Sequence, residues 1–390
     1  MNKQLTAILL ISGTCIGAGM IALPMSLAKI GIIPSLVLMF IIWLFTYYSS
    51  LVSVELNLRS EKGLTLDLLG RKYSGKNAEI LGNICVKLLS YSLLSAYIYG
   101  GSSILQNLLN LNLNIIYIQS IFVLSLILLL QINKNLISKV NGILFIIFLI
   151  FLFFLIILLF FKINYNNLPI TNNNILNNIP SIIIVVFTSF GYQVIFHNLR
   201  DYCGKDVKML KNAFFYGSII PMIIYISWTF VVLSVIYNNN IEFYNNIVIG
   251  NIDVGNLIDK LSNIISLNNL NFIVWIISIL AIITSVIGVS LGLIESYNIS
   301  FKEKNIKNYN IISTLITFLP PYFISVLIPN AFIKILSYAG IILVVIAILL
   351  PIYLYFKANI TEPYIKILNK NILILCSIIG IFMIILSFFY

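Results

Sequence analysis

Long stretches of Ile, Leu, Phe and Val alternate along the chain with short polar gaps, and within the stretches no apolar/polar alternation of period two appears. Eleven stretches approach or exceed the roughly 20 mostly apolar residues that a helix needs to cross a hydrocarbon core. They lie at about 5–28, 32–57, 80–105, 115–132, 141–161, 179–199, 213–237, 271–297, 309–328, 332–356 and 371–389. A membrane barrel would instead show alternating segments of about ten residues, which the unbroken run from Ile143 to Phe161 excludes. The pattern predicts an all-α polytopic membrane protein with eleven transmembrane helices. The first stretch stays apolar past Cys15 to Ala28. A signal-peptide core ends after about 7–15 residues, so this stretch reads as a span.

Composition agrees and removes other classes. The 390 residues are 60% hydrophobic and 9% charged, against about 45–50% and about 25% in soluble domains. The net charge of +11 would suggest nucleic acid on a soluble protein, but binders of that kind cluster their basic residues on a solvated face. Here they sit in the gaps between apolar runs. With the N-terminus inside, 18 Lys and Arg fall in inner gaps and 4 (Lys29, Lys162, Lys260, Lys334) outside, while Lys87 lies within the third run. That bias sets a cytoplasmic N-terminus by the positive-inside rule. An odd number of crossings then places the C-terminus outside. Four cysteines without ligand spacing and a single histidine predict no metal centre, and no cofactor is expected. In the outer segment 238–271, Leu257, Ile258, Leu261, Ile264 and Ile265 recur at helical spacing, which predicts a short amphipathic helix lying as a lid or along the membrane surface.

Two of the runs are not plain rods. The first contains Gly13-Thr14-Cys15-Ile16-Gly17-Ala18-Gly19, and the sixth contains Thr188-Ser189-Phe190-Gly191 followed by Tyr192-Gln193. Each glycine costs a helix about 1 kcal/mol relative to alanine, and non-helical backbone at membrane depth is tolerated only where it lines a cavity or is buried in protein. Close helix packing through small residues is the plainer explanation for one such helix. The pairing favours another. These runs open two sets of five, and because five is odd the second set is inverted relative to the first. Interrupted helices at matching places in inverted halves point to the central site of a secondary transporter. Half-helix N-termini suit a carboxylate and half-helix C-termini suit an ammonium or a cation. A zwitterionic amino acid fits both without any ionised side chain.

At these residues the chain resembles the bacterial aromatic amino acid permeases, the tyrosine- and tryptophan-specific transporters of the amino acid/auxin permease group. The stretches that carry the resemblance are Gly13-Thr14-Cys15-Ile16-Gly17-Ala18-Gly19-Met20-Ile21-Ala22-Leu23-Pro24 and Phe187-Thr188-Ser189-Phe190-Gly191. Gly217-Ser218-Ile219-Ile220-Pro221, the run Thr284 to Leu293 and Thr317-Phe318-Leu319-Pro320-Pro321 extend it to the tenth helix. The resemblance implies a LeuT-type five-plus-five inverted repeat, with residues 1–161 as one half, 179–356 as the other and 371–390 as an appended eleventh helix. It further implies proton-coupled import of tyrosine, tryptophan or phenylalanine across the bacterial cytoplasmic (inner) membrane. The partners expected are thus a small-molecule substrate and the lipid bilayer, with no nucleic acid. Two departures bear on coupling. Gln193 stands where those permeases tend to have histidine, and the fifth helix lacks the lysine they tend to carry near the position of Phe148.

The expected substrate site comprises Gly13, Thr14, Gly17, Ala18, Gly19, Thr188, Ser189 and Gly191 from the breaks, with Tyr91, Tyr97, Phe187, Phe190 and Tyr192 as an aromatic wall; ordinary core packing is the alternative for each ring. Thr284 and Ser285 offer the hydroxyl oxygens that a hard cation such as sodium takes, unless they bond back to their own helix. His197 is the only group that titrates near neutrality when unperturbed and so is a candidate proton relay. Glu55 and Glu295, near inner helix ends, are candidate gate residues or simply solvated. Lys87 reads as snorkelling to the inner surface. A sodium-coupled neutral amino acid permease is the nearest alternative. A membrane subunit of a proton-pumping redox complex is a more distant one, since it would need mid-helix Lys and Glu as a proton path.

Overall fold

The computed structural model describes residues 3–388 apart from 61–62, 133, 173–174, 265–270 and 329–331. Every one of the eleven apolar runs becomes helical. The first splits into α1 (Lys3–Cys15) and α2 (Ala18–Leu27), followed by α3 (Ile32–Leu58), α4 (Leu66–Ser74), α5 (Lys76–Leu108), α6 (Ile115–Leu130) and α7 (Lys134–Phe160). The sixth run splits into α8 (Ile175–Ser189), one 3₁₀ turn (Tyr192–Ile195) and α9 (Phe196–Cys203). Next come α10 (Val207–Asn239), α11 (Ile241–Ile249), α12 (Val254–Ile264), α13 (Asn271–Glu303) and α14 (Tyr309–Leu327). A continuous helix of α15 (Phe332–Val344), a π turn (Val345–Leu349) and α16 (Leu350–Lys357) precedes α17 (Lys370–Phe388). No strand occurs among the described residues.

Eight of these helices are long and apolar enough to cross a membrane, and the bent pair α1–α2 makes a ninth. The fourth and sixth runs yield shorter apolar helices, because a loop shortens the one and a break divides the other. The short helices α4 and α11 carry no apolar run of spanning length and were not expected. The amphipathic helix expected in the outer segment is α12, which buries Leu257, Ile258 and Leu261; Ile265 lies outside the described residues.

Local chemistry sets several boundaries. Asn114, Asp206 and Asn240 cap α6, α10 and α11 through side-chain oxygens that accept backbone N–H groups at 3.1, 2.9 and 2.8 Å, satisfying donors that a helix start leaves open. Gly31 turns the chain into α3 with φ +82°, and a Cβ there would lie 2.8 Å from the Cα of Thr171. The loop between α7 and α8 packs that closely because Pro169 and Ile170 carbonyls accept the N–H groups of Ile32 and Ile33 at 2.9 and 3.1 Å. Large apolar side chains stay uncovered on α7 and α17, as at Phe153, 69% exposed. In a chain this poor in charge, such faces suit lipid.

Two groupings position the interior. α10 packs along α1, α2 and α3, while α5 packs against α6, α12, α13, α14 and α15. The two breaks lie where these groupings meet.

Candidate functional site

The first break is narrow. Ile16 still donates to Ser12 O at 3.1 Å, Gly17 is extended, and α2 restarts at a 51° bend. A Cβ at Gly17 would meet the end of the Ser285 side chain of α13, which can turn away, whereas at Gly19 it would lie 2.8 Å from the Cβ of Ser189 and 3.1 Å from its Cα. Close approach therefore demands glycine at position 19 and sets α13 and the end of α8 against the first break. The second break is wider. Phe190 and Gly191 leave the helix, with Gly191 N–H donating to Thr188 O at 3.1 Å, before the 3₁₀ turn carries the chain into α9.

One residue joins the two, and it was absent from the expected site. The hydroxyl of Tyr225, fully buried on α10, donates to the carbonyls of Cys15 at 2.6 Å and Ser189 at 3.1 Å. These are the last residues of α1 and α8, so two half-helix C-termini, each carrying partial negative charge, converge on a single neutral donor. Phe190 packs edge-on against the Tyr225 ring, with centroids 5.5 Å apart. Tyr97 from α5 turns its hydroxyl toward Ser285. One turn beyond Tyr225, Trp228 Nε1 donates to Met20 O at 2.8 Å. On the other side of the break, Ser12 Oγ donates to Gly217 O at 2.9 Å. Helix α10 thus follows the first broken span along both halves. In the sequence, Tyr225 looks like one of 22 tyrosines in an apolar helix; only its spacing of eight residues from Gly217 links it to a quoted motif.

Of the expected substrate residues, Gly17, Gly19, Ser189, Phe190 and Tyr97 gather here. Others point elsewhere. Gly13 faces Phe145 on α7, and Thr14 is exposed with its hydroxyl bonded to Ile11 O at 2.8 Å. Ala18 lies in the first turn of α2. Phe187 packs against Phe45 on α3. Thr188 bonds its own helix at Ile184 O and reaches Leu336 O of α15 at 3.2 Å. Gly191 lies next to Leu343 of α15. Tyr192 contacts Phe214 and faces the hydroxyls of Thr46, Ser50 and Ser218. Tyr91, about 9 Å along α5 from Tyr97 by the helical rise, bonds Tyr297 at 2.5 Å and Ile316 O at 3.2 Å. That places it in a separate cluster with Lys87, whose ammonium sits 4.7 Å from the Tyr297 ring centroid. Gln193 is 2% exposed, and neither its amide oxygen nor its nitrogen has a partner.

Thr284 donates to Leu280 O at 2.7 Å and Ser285 to Ala281 O at 2.7 Å, which is back-bonding to their own helix. Of the two, only Ser285 is at the break. His197 is half-buried and edge-on to Phe196. The two gate candidates differ. Glu295 is exposed, whereas Glu55 is fully buried, pairs with Arg59 at 2.9 Å and accepts the backbone N–H groups of Tyr364 and Ile365 at 3.1 and 2.9 Å. Nearby, the buried Arg200 of α9 donates to Asn57 O at 3.3 Å and Ser60 O at 3.0 Å. The α9 end of the second broken span is thereby tied to the end of α3. Among the described residues, no three His, Cys, Asp or Glu side chains come together as a metal site.

The amphipathic α12 docks on α5. The Tyr99 hydroxyl donates to Asp253 Oδ1 at 3.2 Å, and Gly255 N–H donates to Ser103 Oγ at 3.1 Å. Burial raises the Asp253 carboxyl above its usual range, and the Tyr99 bond partly offsets this.

A model of the tryptophan/tyrosine permease family matches residues 1–387. The tyrosine-specific transport system 1 of Haemophilus influenzae is 31% identical, over 98% of this chain and 95% of its own. The glutamine transporter 2 of Aliivibrio fischeri is 30% identical over 90% and 88%, and the low affinity tryptophan permease of Escherichia coli K12 is 26% identical over 90% and 86%.

Proposed function

The chain belongs to the tryptophan/tyrosine permease family, and from that premise we propose that it imports an aromatic amino acid (tyrosine, tryptophan or phenylalanine) by alternating access at the two breaks. It is an integral membrane transport protein and not an enzyme. The proposal adds eleven crossings with a cytoplasmic N-terminus in the bacterial inner membrane, arranged as a LeuT-type pair of inverted halves, 1–161 and 179–356, with 371–390 appended. The observation that carries the substrate reading is the convergence of the Cys15 and Ser189 carbonyls beside the first turn of α2. Carbonyl ends suit the ammonium, and the helix start suits the carboxylate. Phe190 and Tyr97, buried next to the same place, suit a ring. Relatives named for tyrosine and tryptophan support that side-chain class.

A neutral amino acid bearing a carboxamide is the second reading, favoured by the relative named as a glutamine transporter. The proton is the coupling cation in this reading. Sodium is the alternative, with the oxygens of Ser285 at the first break and its neighbour Thr284 as candidate ligands. Uptake of labelled tyrosine, tryptophan, phenylalanine and glutamine into proteoliposomes, with proton and sodium gradients imposed separately, tests all of this. Uptake of an aromatic amino acid driven by a pH gradient is the expected result. Uptake of glutamine alone would refute the aromatic reading, and uptake driven by sodium without a pH gradient would refute proton coupling.

A further inference from the structure

Resting on the substrate reading above, we propose that the Tyr225 hydroxyl is a plug for the ammonium position: it satisfies the Cys15 and Ser189 carbonyls while the carrier is empty and withdraws when a primary ammonium arrives. The phenol is 2.6 Å from one carbonyl and 3.1 Å from the other, so its oxygen stands where an ammonium nitrogen would stand to reach both. It has one proton to donate, and two acceptors compete for it. An ammonium has three, carries full charge toward two partially negative helix ends, and forms charge-assisted bonds roughly twice as strong as neutral ones. The ammonium therefore displaces the phenol.

Plugging has a consequence for the transport cycle. Buried carbonyls left without a donor are costly, so an empty carrier lacking the hydroxyl cannot close readily around its breaks. Net uptake requires the empty carrier to close and return. Exchange of one substrate molecule for another does not. The edge-on contact of Phe190 with the Tyr225 ring links withdrawal of the plug to a residue beside the substrate ring.

Two measurements test this on the full chain. Tyr225→Phe keeps the ring and removes the hydroxyl. Equilibrium binding of labelled L-tyrosine is expected to tighten by about fivefold to tenfold, the span of one competing hydrogen bond, while net uptake falls at least about tenfold further than counterflow. Weakened or unchanged binding, or equal losses in both transport modes, would overturn the plug. The second measurement replaces Tyr225 by 3-fluorotyrosine, which retains the hydroxyl and the fold, and follows its fluorine resonance. Methylammonium is expected to shift the signal, and tetramethylammonium, with no N–H to donate, to leave it in place. A signal indifferent to methylammonium refutes the proposal. If methylammonium shifts it but L-tyrosine neither binds nor shifts it, the plug stands and the aromatic substrate reading fails.

Discussion

At the first break, Ile16 and Gly17 alone separate α1 from α2; at the second, six residues separate α8 from α9, four of them wound into a 3₁₀ turn. The short break works by absence of side chains: Gly17 lies against the end of the Ser285 side chain, and Gly19 lies against Ser189 with no room for a Cβ. The long break works by their presence, projecting the buried Phe190, Tyr192 and Gln193. Gly191 itself has φ −79°, which any residue adopts, and a Cβ there would meet Thr188 O at 3.0 Å and a movable Leu343 methyl at 3.2 Å. Arg200 ties α9 to the carbonyls of Asn57 and Ser60 at the end of α3.

The largest effect should separate the glycines of the two breaks. Gly19→Ala drives a Cβ into Cβ and Cα of Ser189, atoms that no rotamer change removes, and overpacking of this kind costs about 1–3 kcal/mol. Initial uptake of labelled L-tyrosine, normalised to membrane expression, should fall by about tenfold to a hundredfold, while Gly191→Ala should cost about threefold or less. Equal losses would break the contrast. A smaller effect is expected at Gly17→Ala, because the clash there is with the end of a serine side chain. Adding Ser285→Ala should recover most of the lost uptake, a coupling between contacting residues of the kind that double-mutant cycles detect. Additive losses would show that Ser285 is not what excludes the side chain.

How much of this arrangement could be read from the chain differs between the breaks. The first is legible because three glycines in seven residues weaken a helix wherever they occur. The second is legible only through its counterpart, since Thr188 to Gly191 has one glycine and gains meaning from its place five runs later. The aromatic wall was harder to read. Phe190 and Tyr97 lie at the break while Tyr91 and Phe187 serve other packing, because helix rotation, and not proximity in sequence, decides which ring faces inward. Glu55 shows the same limit from the polar side. Its carboxylate accepts from residues 364 and 365, far along the chain, so the solvated alternative fails and Glu55 is buried against the loop before α17.

The mildest prediction concerns α12 and the Asp253 carboxyl just before it. Burial raises the Asp253 carboxyl in the docked state above its ordinary 3.8. A carboxyl with a raised folded-state value favours the docked form fully at pH below 3.8, and that contribution is lost as pH rises through the raised value. Amide hydrogen exchange in residues 254–264, corrected for intrinsic rates, should therefore become faster between acid and neutral pH. Asp253→Asn should remove that pH dependence, and its persistence in the variant would assign it to another group.

The sequence by itself determined the class of molecule, the positions of its helices and the two places where helices fail. Those properties follow from transfer of side chains to lipid and from local backbone propensity, and each acts over one span. Only the tertiary structure decided that Tyr225 joins residues 210 and 36 positions away, that Ser285 fills the space beside Gly17, and that Glu55 is buried. Apolar helices of similar composition pack against one another through shape, and a run of Ile, Leu and Phe carries little record of which neighbour it will meet.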